Sequence, residues 1–217
     1  MKKLALVFLV AIILSCSFGT LAESEITFRK IAWFSTPLEV DGALLSEGAT
    51  NTNYALGRSD FALRMDFDSQ GVISPEICTG YGITNSYSGI TVAGYSVDFL
   101  MVSYLYPLVN NQVVKDDSLA QIHTGMYVLQ IPETSSAKEA YHDLTRKLSY
   151  LYGTYTVGVS EEISDSEFPP RIWADVGGNI VILTISGGNA QLVYYAGDAN
   201  SRLDDLQFSS SDSLNGL

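Results

Sequence analysis

Ile172-Trp173-Ala174-Asp175-Val176-Gly177-Gly178-Asn179-Ile180-Val181-Ile182-Leu183-Thr184-Ile185-Ser186-Gly187-Gly188-Asn189-Ala190-Gln191-Leu192-Val193-Tyr194-Tyr195 decides the fold. Apolar and β-branched residues crowd 172–176, 180–185 and 191–195, and a pair of glycines stands in each gap. Gly177-Gly178 reads as a two-residue hairpin turn and Gly187-Gly188-Asn189 as a second turn, since loops this short join antiparallel neighbours. The stretch predicts a three-stranded meander.

Upstream, Ser136-Ala137-Lys138-Glu139 has the form of a capping box. Ala137, Tyr141, Leu144, Leu148 and Leu151 then recur at spacings of 4, 3, 4 and 3, one apolar stripe on a helix that Gly153 ends. Asp143 and Lys147 form an i,i+4 pair away from that stripe. Thr36-Pro37-Leu38-Glu39 is a second capping box and predicts a short helix to about Ser46, stopped at Gly48.

Strands are expected at 26–33, 90–109 and 119–131. From Phe99 to Leu105 nearly every residue is apolar, which reads as a central strand covered on both faces, with a bulge or bend at Gly94. In 119–131, Ile122, Met126 and Val128 fall on one face and Tyr127 and Leu129 on the other. Residues 48–89 are rich in Gly, Ser, Asn and Thr and read as an irregular or hairpin insertion, with a strand from Phe61 to Phe67 and a turn at Ser69-Gln70-Gly71. Residues 200–206 read as a helical turn. The sum is an α+β domain over 23–208. Its antiparallel sheet has five or six strands, with one main amphipathic helix and one short helix on one face. A flexible tail follows at 209–217.

The first segment is an address. Lys2 and Lys3 precede an unbroken apolar run, 4–14, which has the length of a signal-peptide core and is too short for an ordinary membrane span. Two processing routes stay open. Thr20-Leu21-Ala22 offers small residues for cleavage before Glu23, and Ile13-Leu14-Ser15-Cys16 offers a lipobox that would acylate Cys16, with Leu14 in place of the usual small residue. Cleavage after Ala22 removes two lysines and no acid, taking the net charge from −12 to −14. The expected product is exported, secreted or at the cell surface, and touches membrane only through the signal segment or a lipid on Cys16. Its acidity disfavours nucleic acid, and anionic lipid or teichoic acid unless a divalent cation bridges. Only Cys78 is left after such cleavage, so no internal disulfide is expected.

Candidate sites are few. Asp66, Asp68 and Gln70, with Gly71, resemble the start of a Ca²⁺-binding loop, although Ile77 stands where the bidentate Glu belongs and Pro75 opposes an exiting helix. The acidic run 161–167 reads as a solvated loop or a contact for a cation or basic partner. Tyr150, Tyr152 and Tyr155 cluster at a helix end, and Tyr104 and Tyr106 at a strand end, where amphipathic rings make a platform for sugar or peptide. His123 and His142 are the only histidines and form no zinc motif; no serine-hydrolase or phosphate-loop motif occurs. No cofactor is expected.

The segment Ile26-Thr27-Phe28-Arg29-Lys30-Ile31-Ala32-Trp33, then Ser35-Thr36 and a short helix, resembles the N-terminal element of many exported Gram-positive proteins of unknown function. Lys147-Leu148-Ser149-Tyr150-Leu151-Tyr152-Gly153 does so too. The helix-plus-antiparallel-sheet order is similar to the β-lactamase-inhibitor-like and outer-membrane-assembly-lipoprotein folds, which carry Gly after the Trp where this chain has Phe34. The resemblance implies a non-catalytic module and transfers no site residue. The expected function is an exported binding module for a protein, peptide or envelope polymer. An extracytoplasmic hydrolase is the alternative, drawing its acid or base from His123, His142 or the carboxylates near Asp66.

Overall fold

A computed structural model describes residues 25–52, 59–67, 73–82, 84–106, 108–109, 112–113, 116–157, 168–186 and 188–197. Helix α1 (Pro37–Ser46) and helix α2 (Ala137–Tyr152) are joined by β1 (Thr50–Asn51), β2 (Ser59–Phe67), β3 (Ile73–Gly82), β4 (Thr84–Ser88), β5 (Thr91–Val92), β6 (Tyr95–Leu105), β7 (Leu108–Val109), β8 (Gln112–Val113) and β9 (Gln121–Gln130). After α2 come β10 (Thr156–Val157), β11 (Arg171–Ala174), β12 (Ile180–Ser186) and β13 (Asn189–Tyr195). The main sheet is antiparallel, in the order β1-β4-β6-β9-β13-β12-β11-β10, with β5 paired to β6. The class is α+β as expected, and the sheet is larger than the five or six strands expected from sequence. Short edge strands β1 and β10 account for the excess; two residues carry no readable period.

The order follows from one crossover. The chain leaves β9, crosses one face of the sheet as α2 over β13, β12 and β11, and re-enters at the far edge. The meander β10 to β13 then walks back until β13 pairs with β9, Leu192 opposite Tyr127. Both capping boxes form. Glu139 accepts from Ser136 N (2.8 Å) and Ser136 Oγ accepts from Glu139 N (3.2 Å). Glu39 accepts from Thr36 N (2.7 Å). Gly48 and Gly153 follow the helices with φ of 90° and 77°, values that favour glycine. Tyr141, Leu144 and Leu148 of the predicted stripe are buried, joined by Ala140 and Thr145, while Leu151 is exposed. Val40 and Leu44 of α1 enter the same core, so both helices lie on one face. The Asp143–Lys147 pair (2.6 Å) also clamps the sheet, because Lys147 Nζ donates to Ala93 O (2.7 Å) and Tyr95 Oη to Asp143 (3.0 Å).

Four sequence expectations are corrected. Residues 26–33 are not a strand: Ile31 N bonds back to Phe28 O (3.0 Å), a tight turn with Arg29 and Lys30 both at positive φ (54° and 60°). In β9 Ile122 lies in the core with Tyr127 and Leu129, not with Met126 and Val128. Ser103 faces Thr124 but Tyr104 faces Ile122, so His123 is an extra residue that reverses the side-chain parity. In β6 the bulge at Asp98 does the same: Leu100, Val102 and Tyr104 are buried, while Phe99, Met101 and Ser103 are half-exposed, so the strand is not sealed on both faces. The turn between β11 and β12 has three residues, Val176, Gly177 and Gly178. Asp175 N bonds to Asn179 O, and Gly178 sits at φ 77°.

Within 48–89, β2 and β3 pair antiparallel, with Phe67 opposite Ile73, and β4 returns the chain to the main sheet. The signal segment 1–22 with Cys16, the Ser69-Gln70-Gly71 turn, the acidic run 161–167, the turn at 200–206 and the tail 209–217 lie outside the described residues.

Candidate functional site

Residues 25–35 form a strap laid across the helix-covered face of the sheet. Its start is pinned by Asp175, which accepts from Ile26 N (2.7 Å), Asn179 N (2.9 Å) and Asn179 Nδ2 (2.9 Å); Asn179 Oδ1 in turn accepts from Gly197 N (2.9 Å). Trp33 Nε1 donates to Ile26 O (2.8 Å), closing the strap on itself. Its far end pairs with β9 through Phe34 N to Ile122 O (3.0 Å) and Ile122 N to Ser35 O (2.9 Å). Between these pins Phe28 is fully buried, stacked on Tyr127 at 4.9 Å and set edge-on to Tyr194 at 5.8 Å. Gly125 makes room for that ring.

The strap leaves a cleft of about 390 Å³ between itself and the end of α2. Thr27, Arg29 and Lys30 line one side; Tyr127, Tyr152 and Tyr194 line the other. Arg29 is ion-paired with Glu47, which also lines the cleft, and stands near Tyr127. Burial opposes the Arg29 charge, but Tyr127 and Glu47 outweigh it and its pKa stands above the ordinary value. Burial raises the pKa values of Tyr127 and Tyr194, so both phenols keep their protons. Tyr194 stands beside Tyr152, and both line the cleft. The wall is therefore an array of neutral hydroxyls on apolar rings beside a guanidinium. Such an array recognises polar groups attached to flat or ring-shaped surfaces.

A second cleft, of about 510 Å³, opens on the other side of the strap between Trp33, Phe34 and the β11–β12 turn at Gly177 and Asn179. Thr27 and Lys30 line both clefts.

The three tyrosines of the expected platform part company. Tyr152 lines the first cleft; Tyr150 is 90% exposed. Tyr155 packs at 5.5 Å from Trp173, with the Arg171 guanidinium 4.4 Å from its ring centre. Tyr104 and Tyr106 are buried; Tyr106 donates to Asp117 (2.6 Å), and the Tyr104 hydroxyl has no hydrogen-bond partner among the described residues. His123 is buried, its ring hydrogen-bonded to Thr124 Oγ1 (2.7 Å), and burial pushes its pKa down to about 4. His142 is exposed beside Tyr141. Neither histidine lines either cleft. Asp66 lies in β2 opposite Ser74, and Cys78 in β3 opposite Ala62; Asp68 and Gln70 lie outside the described residues. Among the described residues no group of three or more His, Cys, Asp or Glu is placed to hold a metal ion.

Arg29, Lys30, Tyr127 and Tyr194 escaped the sequence reading. The available signal was Arg29-Lys30, two cations inside an otherwise apolar alternation of an acidic chain. No helix among the described residues is long and apolar enough to cross a membrane. The chain matches no family model, no curated protein and no solved structure.

Proposed function

We propose that the protein is an exported, envelope-associated binding module whose ligand sits in the cleft between the strap and the end of α2. The observation that carries this reading is the convergence there of Arg29 with the hydroxyls of Tyr127, Tyr152 and Tyr194. These groups come from the strap, β9, α2 and β13, so the core itself holds the site in shape. Preorganised hydroxyls and a guanidinium bind without needing to react. The apolar leader at 4–14 supports export.

Of the residues named for the hydrolase alternative, the two histidines do not favour it. His123 has its ring in the sheet at a bulge, His142 stands in solvent, and neither opens on the clefts.

The experiment is retention of solubilised envelope glycans and peptides on the immobilised mature protein, with chain lengths measured before and after. Binding that is lost in Tyr152→Ala, with chain lengths unchanged, supports the proposal. Retention equal in wild type and Tyr152→Ala contradicts the site. Progressive shortening of a retained polymer contradicts a pure binding role.

A further inference from the structure

We infer that the two clefts are one groove that crosses the strap at Lys30, and that its occupant is a short saccharide carrying a single anionic group seated on Lys30.

This rests on the binding reading above and names the ligand class for it. Thr27 and Lys30 line both clefts, so the two adjoin on a saddle of the strap at these residues. Lys30 stands on the saddle, exposed, with no ion-pair partner among the described residues. Arg29, its neighbour, is already neutralised by Glu47. The backbone at this point is under strain. Arg29 and Lys30 occupy successive left-handed positions, φ 54° and 60°, where Asn and Gly are the ordinary occupants of a turn. Strain retained on two cations at the mouth of a groove points to a role for those side chains.

Rings stand at both ends: Trp33 and Phe34 on one side of Lys30, Tyr152 and Tyr194 on the other. Aromatic faces lined with hydroxyls, from Thr27, Thr91 and the tyrosines, suit the alternating apolar faces and hydroxyl edges of pyranose rings. The charge arithmetic limits the ligand to few anions. The chain carries −12 overall, and Glu25 and Glu47 flank the groove, so a polyanion is repelled while one carboxylate fits the unpaired ammonium.

Only two tryptophans exist, and Trp173 is fully buried, so a ligand-dependent change in tryptophan emission reports on Trp33. The mature protein is titrated with four probes: cellotetraose, the same tetrasaccharide with one ring oxidised to a uronate, tetragalacturonate, and a tetrapeptide containing one glutamate. The singly charged tetrasaccharide is expected to shift Trp33 emission and to bind at least tenfold more tightly than cellotetraose. Lys30→Gln should abolish that tenfold difference, and Lys30→Arg should retain most of it. Equal affinity for the charged and neutral sugars, or an unchanged preference in Lys30→Gln, overturns the inference. So do tighter binding of the tetrapeptide or of tetragalacturonate, and absence of binding by every probe. If Tyr152→Ala weakens binding while Lys30→Gln and Trp33 emission do not respond, the groove is wrong and the first cleft stands. If Tyr152→Ala also has no effect, both fall.

Discussion

Gly125 is the floor on which Phe28 lies: a Cβ on residue 125 would stand 2.3 Å from Phe28 Cδ2 and 2.5 Å from its Cγ. A glycine in the middle of a central strand ordinarily weakens it. Here it lets an aromatic ring from the strap descend onto the sheet backbone and reach Tyr127 and Tyr194. The cleft exists because the strap is held this low.

Gly125→Ala must therefore lift Phe28. The expected loss is about 3 kcal/mol, the upper range for overpacking a well-filled core. Urea denaturation gives the value. Phe28→Leu in the Gly125→Ala background should recover part of it, and strict additivity of the two substitutions would show that their contact does not matter.

Asp175→Ala removes the acceptor of Ile26 N–H and of two donors on Asn179. Leaving buried donors unpaired is expected to cost roughly 3 kcal/mol. The loss should be local as well as global: Ile26 amide exchange accelerates and Trp33 emission moves to the red as the strap lifts. Unchanged Ile26 protection would contradict Asp175 as the pin.

His123 sets the acid limb of stability. Its folded pKa is lowered to about 4 from 6.5, so on acidification the unfolded chain takes the proton first. The contribution is complete above about pH 6.5 and is lost as the pH falls towards 4, up to ~3 kcal/mol in total. Glu39 and Glu139 are held below the carboxylate norm by bonds from Thr36 and Ser136, so their contributions are lost in the same direction but at lower pH. Urea midpoints measured between pH 7 and 4.5 should slope downward in the wild type and flatten in His123→Gln. A wild-type profile flat over this window would contradict a buried neutral ring.

Lys30→Gly separates stability from binding. Glycine takes φ 60° freely, so relief of the left-handed strain should raise stability by about 1 kcal/mol. The singly charged tetrasaccharide should bind less well to the same variant. A destabilised Lys30→Gly would mean that the lysine supports the fold rather than the ligand.

The helices were legible because their signals are local: Thr36 to Glu39 and Ser136 to Glu139 write their own caps within four residues. The meander was legible from its paired glycines, although Asp175 and Asn179 lengthen the first turn by one residue. The strap was not legible. Ile26 to Trp33 alternates like a strand, and what turns it is distant: Asp175, 149 residues away in sequence, holds Ile26, and Gly125 admits Phe28. Nor could the bulges at Asp98 and His123 be read, since each is set by the register of the partner strand and reverses the face of every residue beyond it. The cleft depends on the strap and on the parity of Tyr127, so it was hidden twice over. Of the three tyrosines singled out at the end of α2, Tyr152 alone lines it.

Amide chemical-shift mapping of residues 23–217, titrated with the singly carboxylated tetrasaccharide, shows directly where the ligand sits. Saturable shifts should concentrate at residues 27–34, at Leu151 and Tyr152 at the end of α2, and at Tyr194. Shifts confined to the half-exposed opposite face of the sheet around Met101, Met126 and Val193, or no saturable shifts at all, would contradict a binding site between the strap and α2.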